Sequence, residues 1–389
     1  VVIFAPLYIS NLGSNNCLYC GFRSENPEIA RKKLSMREIT AEAEALLAKG
    51  HKRVLMVAGE TSGGNTLDID FFEEALRTLY SARYGRNGIR RVNVNSAPLS
   101  VSEFRRLKSA GIGTYQIFQE TYHDATYRTV HPRGPKSDPD NRLDAVARAF
   151  EAGIDDIGIG VLYGLYDHKF ETLGLLAHIE SMEKAHGVGP HTISVPRLEP
   201  AKGADLSTYP PYRISDGDFK KIVAVLRISV PYTGIILSTR ETAELRDELF
   251  GLGVSQISAG SSTRPGGYSE AGDKAGGQFD TSDMRTLDEV MSSLLDKKAI
   301  PSFCTACYRT ERTGKAFMAL AKPGTIQGKC RVNALLTLKE YLDDFASSDV
   351  RRKGYGLIER EMGALPEAEK KYLEGLFTKM DKGARDGFV

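Results

Sequence analysis

Five cysteines carry the first chemical signal. Cys17 and Cys20 form one Cys-x-x-Cys pair, Cys304 and Cys307 form another, and Cys330 follows the second pair after 22 intervening residues. Thiolates at this spacing hold a metal or a cluster, or do redox chemistry, in a reducing compartment. An odd cysteine count in a long chain argues against a disulfide framework. The opening run VVIFAPLYI lacks the basic flank and cleavage site of a signal peptide, so a cytoplasmic setting is expected. Polar residues that end apolar runs come next: Glu60, Glu120, Ser238 and Arg240, with Arg142 opening a helical pattern.

Those residues need a frame. Short β-branched runs alternate with amphipathic segments: strands near 1–9, 53–59, 91–95, 114–120, 156–162, 191–197, 234–239 and 255–260, with helices between them. Sustained alternation demands a parallel sheet with helical crossovers. Eight such units over about 260 residues predict an α/β fold, a closed (β/α)8 barrel, with an open doubly wound sheet as the fallback. Chemistry then belongs at the C-terminal ends of the strands. That rule sends Cys17, Cys20, Glu60, Glu120, Ser238 and Arg240 to one mouth, and His191 to the opposite end. The expected organisation is a barrel over 1–262, a linker and connecting helix over 263–300, and a small, mostly helical domain over 301–389. Segment 261–280 reads as loop from its Gly, Ser and charge content, and two amphipathic helices are expected near 333–347 and 366–380.

Composition closes off other classes. The 389 residues carry 52 Lys+Arg against 50 Asp+Glu, a net charge of +2. No global field favours nucleic acid or an acidic membrane surface. No run of 18 apolar residues exists to span a bilayer.

The segment Gly13-x3-Cys17-x2-Cys20 after the first strand resembles the Cys-x3-Cys-x2-Cys loop of radical S-adenosylmethionine (SAM) enzymes, with Tyr19 in the aromatic position before the last cysteine. Cys304-x2-Cys307-x22-Cys330 resembles the C-terminal cluster motif of the tyrosine lyases that mature [FeFe]-hydrogenase. The resemblance runs from APLYISN through VAGE, FQETYH, GIGVLYGLYD, SVPRLEP and LSTRE. It implies a radical SAM lyase that splits L-tyrosine into p-cresol and dehydroglycine, then makes CO and cyanide. It implies a [4Fe–4S] cluster at the mouth with SAM on its open iron, and a second C-terminal cluster with a possible additional iron. By the same resemblance Glu60 holds the SAM ammonium, Glu120 the ribose, Arg142 the SAM carboxylate, and Leu162 and Tyr163 the adenine. Ser238 and Arg240 clamp the tyrosine carboxylate, and Cys304, Cys307 and Cys330 hold the second cluster. His191 would ligate the additional iron if the C-terminal domain caps the barrel bottom. An electron donor and hydrogenase maturation proteins are the implied partners, in an anaerobic cytoplasm.

The departure is Gly13, which falls where the family has its first cluster cysteine. Glycine offers no donor, and Ser14, Asn15 and Asn16 are poor ligands for iron. An altered sequence of a genuine member, a natural variant with another ligand, and a scaffold that has lost SAM cleavage all fit this residue. The related 2-iminoacetate synthase of thiamine biosynthesis, which lacks the C-terminal motif, is a further alternative.

Overall fold

The computed structural model describes residues 1–61, 67–270 and 276–389. All eight expected strands form: β1 Val2–Ser10, β2 Arg53–Ala58, β3 Arg91–Asn95, β4 Tyr115–Glu120, β5 Ile157–Val161, β6 Thr192–Ser194, β7 Gly234–Leu237 and β8 Gln256–Ser258. Each pairs in parallel with its neighbours, and β8 closes on β1 through Val2 opposite Gln256. Parallel strands buried on both faces read as apolar runs, which is why they were legible.

The crossover helices start where their caps dictate. Ser35 with Glu38, and Ser100 with Glu103, close reciprocal capping boxes, and Asp68 caps the helix Ile69–Ser81. Barrel-facing side chains are small or polar where space is tight. A Cβ on Gly158 would lie 2.6 Å from Thr192 Oγ1, and one on Gly160 would lie 2.6 Å from the Ser194 carbonyl. Glycine in β5 lets Gln116 and Phe118 of β4 point inward.

Two expectations need correction. The C-terminal region holds the long helix Ile326–Asp344, which starts earlier than expected and carries Cys330, and the helix Glu367–Asp381. Between them lies a further helix, Ser348–Gly363, absent from the sequence reading. Gly354 hid it: a Cβ there would stand 2.5 Å from Leu342, so glycine permits the close crossing of the two helices. The second correction concerns the segment read as a linker. Residues 271–275 lie outside the described residues, but the part after them packs across the mouth. Gln278 N donates to Thr263 O at 2.9 Å, Gly21 N to Gln278 O at 3.0 Å, and Asp280 N to Pro200 O at 2.8 Å.

The C-terminal region seals the opposite end. Ser302 bridges Val2, and Lys52 at the start of β2 faces Glu340 at 3.6 Å, both side chains buried.

Candidate active site at the barrel mouth

The loop after β1 is pinned from three sides. Asn11 N donates to Lys32 O at 3.0 Å, Ser14 N to Glu60 O at 2.8 Å, Asn16 N to Arg133 O at 3.0 Å, and Leu18 N to Val130 O at 3.0 Å. This brings Cys17 and Cys20 to one wall of a cavity that extends into the barrel. Cys17 is buried and Cys20 half-buried. Burial pushes the Cys17 thiol up to about 12, opposed by the ammonium of Lys136. Cys20 Sγ accepts from Phe22 N at 3.4 Å and lies 3.8 Å from Gln278 Nε2.

Tyr19 packs beside these thiols, and its hydroxyl meets His131 Nε2 at 2.8 Å. His131 Nδ1 faces the Tyr127 carbonyl at 2.9 Å. A carbonyl only accepts, so Nδ1 carries the proton and Nε2 accepts from Tyr19. Burial, then Lys136 and Arg142, lower the His131 pKa to about 2, which keeps the ring neutral.

The next wall is ionic. Glu60 accepts from Asn15 Nδ2 at 2.8 Å, with Arg142 Nη1 at 4.0 Å. Glu120 ends β4 at φ 71°, a left-handed conformation that turns its carboxylate onto Lys136. Arg142 is buried and donates Nε to Phe118 O at 2.9 Å, while its Nη1 makes no hydrogen bond. Glu60, Glu120, Lys136, Arg142 and Leu162 border the same cavity as the thiols. Tyr163 does not: its ring is fully buried in the core and its hydroxyl meets Thr172 Oγ1 at 3.1 Å. The family resemblance of GVLYGLYD placed it at the adenine beside Leu162, but neighbours on an extended chain face opposite ways.

Ser238 and Arg240 form the opposite wall. The Arg240 guanidinium stacks on Phe279, 3.3 Å from the ring centroid, and donates Nη1 to Arg197 O at a long 3.4 Å. Burial lowers its pKa, with Tyr8 and Glu120 opposing. Tyr8 also borders the cavity and donates its hydroxyl to Gln278 Oε1 at 2.7 Å. Lys136, Tyr8, Gln278 and Phe279 were missed in the sequence. Tyr8 could have been found, since it lies two residues from the mouth end of β1 in phase with Phe4 and Pro6. Lys136 sits in a single helical turn with no pattern around it.

At the barrel floor, His191 Nδ1 lies 3.2 Å from Asp156 Oδ2, and its ring centroid is 4.4 Å from Phe317 and 6.0 Å from Tyr308. It therefore faces the C-terminal segment, as its strand position predicted. Cys304 Sγ accepts from Ala306 N at 3.4 Å, and Arg53 of β2 donates to the Cys304 carbonyl. Cys330 is exposed.

Among the described residues, no three His, Cys, Asp or Glu side chains converge as a metal-holding group. The mouth offers two thiolates and, at Gly13, no third, so the residues present do not fit a three-thiolate cluster. They do fit an amino-acid group. Buried Arg142 Nη1 makes no hydrogen bond, with Glu60 no nearer than 4.0 Å, and suits an acceptor such as a carboxylate.

Comparisons with known proteins agree with this geometry. Residues 7–177 match the Radical SAM superfamily, and residues 194–299 match the Biotin and Thiamin Synthesis associated domain. The 2-iminoacetate synthase of Salmonella typhimurium is 33% identical over 295 residues, 76% of this chain and 75% of that protein. The crystal structure of HydG, a maturase of the [FeFe]-hydrogenase, superposes with a TM-score of 0.96 at 47% identity, covering 100% of this chain and 84% of that one. HydG from Carboxydothermus hydrogenoformans gives 0.83 at 46%, covering 97% and 82%.

Proposed function

Because this chain belongs to the radical SAM superfamily, in the group that joins the HydG maturases to the 2-iminoacetate synthases, we propose that its mouth is a tyrosine lyase site serving [FeFe]-hydrogenase assembly. It is a radical SAM lyase by family. Its family uses a [4Fe–4S] cluster and SAM, which together supply one-electron chemistry. The observation that carries the substrate reading is a pair of guanidiniums on one cavity, the buried Arg142 and the half-buried Arg240. Arg142 Nη1 makes no hydrogen bond and Arg240 makes one long one, and a guanidinium withdrawn from water needs an anion. Two such groups on facing walls suit two amino-acid carboxylates, that of the SAM methionine moiety on Arg142 and that of L-tyrosine on Arg240.

The remaining assignments follow the family resemblance and are compatible with the contacts. Glu60 takes the SAM ammonium, and Lys136 holds Glu120 in the strained turn from which it accepts from ribose hydroxyls. Leu162 covers the adenine. Ser238 adds a hydroxyl beside Arg240, and Phe279 keeps the guanidinium plane fixed by stacking. A bidentate fork held this way orients tyrosine before its amino end is attacked. Cys304, Cys307 and Cys330 would hold a second cluster, with His191 toward an additional iron, where the dehydroglycine fragment gives CO and cyanide. An electron donor and other maturation proteins would serve it in an anaerobic cytoplasm. Among the described residues, no helix is long and apolar enough to cross a membrane.

The test is separate binding of tyrosine and SAM to two variants in a Gly13→Cys background. Arg240→Lys should weaken tyrosine by about 1.5–3 kcal/mol, roughly tenfold to a hundredfold, and leave SAM nearly unchanged. Arg142→Lys should do the reverse. If both ligands weaken equally in either variant, the two arginines do not divide the carboxylates.

A further inference from the structure

A second cavity lies on the barrel flank, beside the mouth, with a volume of about 430 Å³. It sits where the helix Met36–Ala48 ends, the helix Leu287–Asp296 begins, and Tyr341 and Phe345 of the C-terminal region pack in. Ser261 and Thr263, just after β8, border this cavity and the mouth cavity alike. One short segment therefore separates the two.

Two polar groups on the flank cavity are left open. His51 is fully buried, and neither of its ring nitrogens makes a hydrogen bond. Ser261 Oγ is buried and makes none either. Hydroxyls around them are committed: Tyr268 donates to Pro6 O at 2.6 Å, Tyr341 to Asp288 at 3.1 Å, and Thr263 to Phe279 O at 2.9 Å. Buried polar groups are ordinarily paired, so two open ones on one cavity point to an occupant.

The chain holds His51 in place by its backbone. His51 N donates to Leu46 O at 3.1 Å, and Gly50 turns at φ 96° against the Tyr341 ring, where a Cβ would lie 2.7 Å from Cε2. Burial, then Lys49, lower the His51 pKa to about 3. The ring is therefore neutral and offers one donor and one acceptor. Arg264, also on the cavity, has Glu270 at 3.8 Å. A neutral imidazole and a hydroxyl suit a ligand that donates and accepts, rather than an ion. Tyr341 and Phe345 add aromatic wall. A cavity of roughly 150 Å³ already holds benzene, so a one-ring ligand fits.

We propose that the flank cavity binds a small neutral phenol, its hydroxyl meeting His51 and Ser261, and that it receives the p-cresol leaving the mouth past residues 261–263. The product role rests on the reading of the mouth as a tyrosine lyase site; the phenol site rests on the residues of the cavity itself. Tyrosine stays at the mouth because its carboxylate needs a guanidinium. Its phenolic product has lost that handle and partitions to the neutral, aromatic site. No bond forms or breaks in this transfer.

The test uses the unaltered full chain and 4-fluorophenol, followed by fluorine NMR. Binding should saturate, with a midpoint on the order of 0.1–1 mM. p-Cresol should displace the probe and excess L-tyrosine should not. Toluene, which has the shape without the hydroxyl, should compete at least about tenfold more weakly. His51→Leu should weaken the probe about tenfold, Ser261→Ala should weaken it in the same direction, and His51→Gln, which keeps a donor and an acceptor, should weaken it least. Circular dichroism checks that each variant is folded. Displacement by tyrosine, or unchanged binding in both His51→Leu and Ser261→Ala, would put the phenol elsewhere and overturn the proposal. No saturable binding would overturn it too, with water as the occupant. If a Gly13→Cys chain forms p-cresol but shows no flank binding, the inference falls and the proposed function stands. If that chain binds the probe at the flank but forms no p-cresol, the proposed function falls and the product role falls with it.

Discussion

The two ends of the barrel fail a cluster in opposite ways. The mouth has a finished frame and an incomplete donor set: a pinned loop, two thiols, a buried and a half-buried arginine and a paired Glu120–Lys136, with glycine where the family has a third sulfur. The floor has three cysteines but no finished frame, because Cys330 is exposed and the trio does not converge as a metal-holding group. Donor count and preorganisation are separate properties. The mouth is built by strands and their tight loops, whose positions the barrel fixes. Of the floor trio, Cys304 precedes a short helical turn, Cys307 lies in it, and Cys330 lies near the start of a long helix.

The largest expected effect breaks the comparison at the floor. In a Gly13→Cys background, Cys304→Ser with Cys307→Ser should abolish CO release while p-cresol formation stays within about twofold, since distant sites add independently. Parallel loss of both products, measured by gas-phase CO detection and chromatography, would merge the two ends into one site. At the mouth, Lys136→Met leaves buried Glu120 without its partner. SAM binding should weaken by about 1.5–3 kcal/mol, and tyrosine binding far less. Equal weakening in titration calorimetry would mean that Lys136 serves the whole cavity.

Smaller effects probe the frame that the two ends share. Gly160→Ala forces a Cβ to 2.6 Å from the Ser194 carbonyl and 2.9 Å from Phe118. Overpacking of this kind costs about 1–3 kcal/mol. Denaturant midpoints should show it, whereas Gly251→Ala, with nothing within 4 Å, should show little of it. The smallest effect is a pH slope. Glu171 is buried, takes Thr121 and Tyr122 N behind the Glu120 turn, and has its pKa raised to about 7 by burial. A raised carboxyl binds more protons folded than unfolded. Stability is therefore greatest below the unfolded value near 4.5 and falls as pH climbs through about 7, by roughly 1–3 kcal/mol. Glu171→Gln should flatten that part of the profile, and an unchanged slope would assign it to another group.

Much of this was legible because the barrel rule turns order along the chain into position in space. Glu60, Glu120, Ser238 and Arg240 were found by where their strands end, and His191 was sent to the floor by where its strand begins. The rule fails where a residue's place depends on the return of a distant segment. Gln278 and Phe279 reach Cys20 and Arg240 from a stretch whose Gly and Ser content signals only loop. Lys136 pairs with Glu120 from a single turn with no periodicity to betray it. Tyr163 shows another limit, because the resemblance carried over a whole segment, GVLYGLYD, although the core took this ring.

The contrast between the ends reduces to counting iron. Four chains, reconstituted anaerobically without added thiol, decide it: the unaltered chain, Gly13→Cys, Cys304→Ser/Cys307→Ser, and the three changes together. A mouth lacking only one donor and a floor lacking only convergence predict about four, eight, zero and four irons per chain in that order, one [4Fe–4S] cluster per competent end. About eight irons in the unaltered chain, or about four in the chain with both floor cysteines changed and Gly13 kept, would contradict the account.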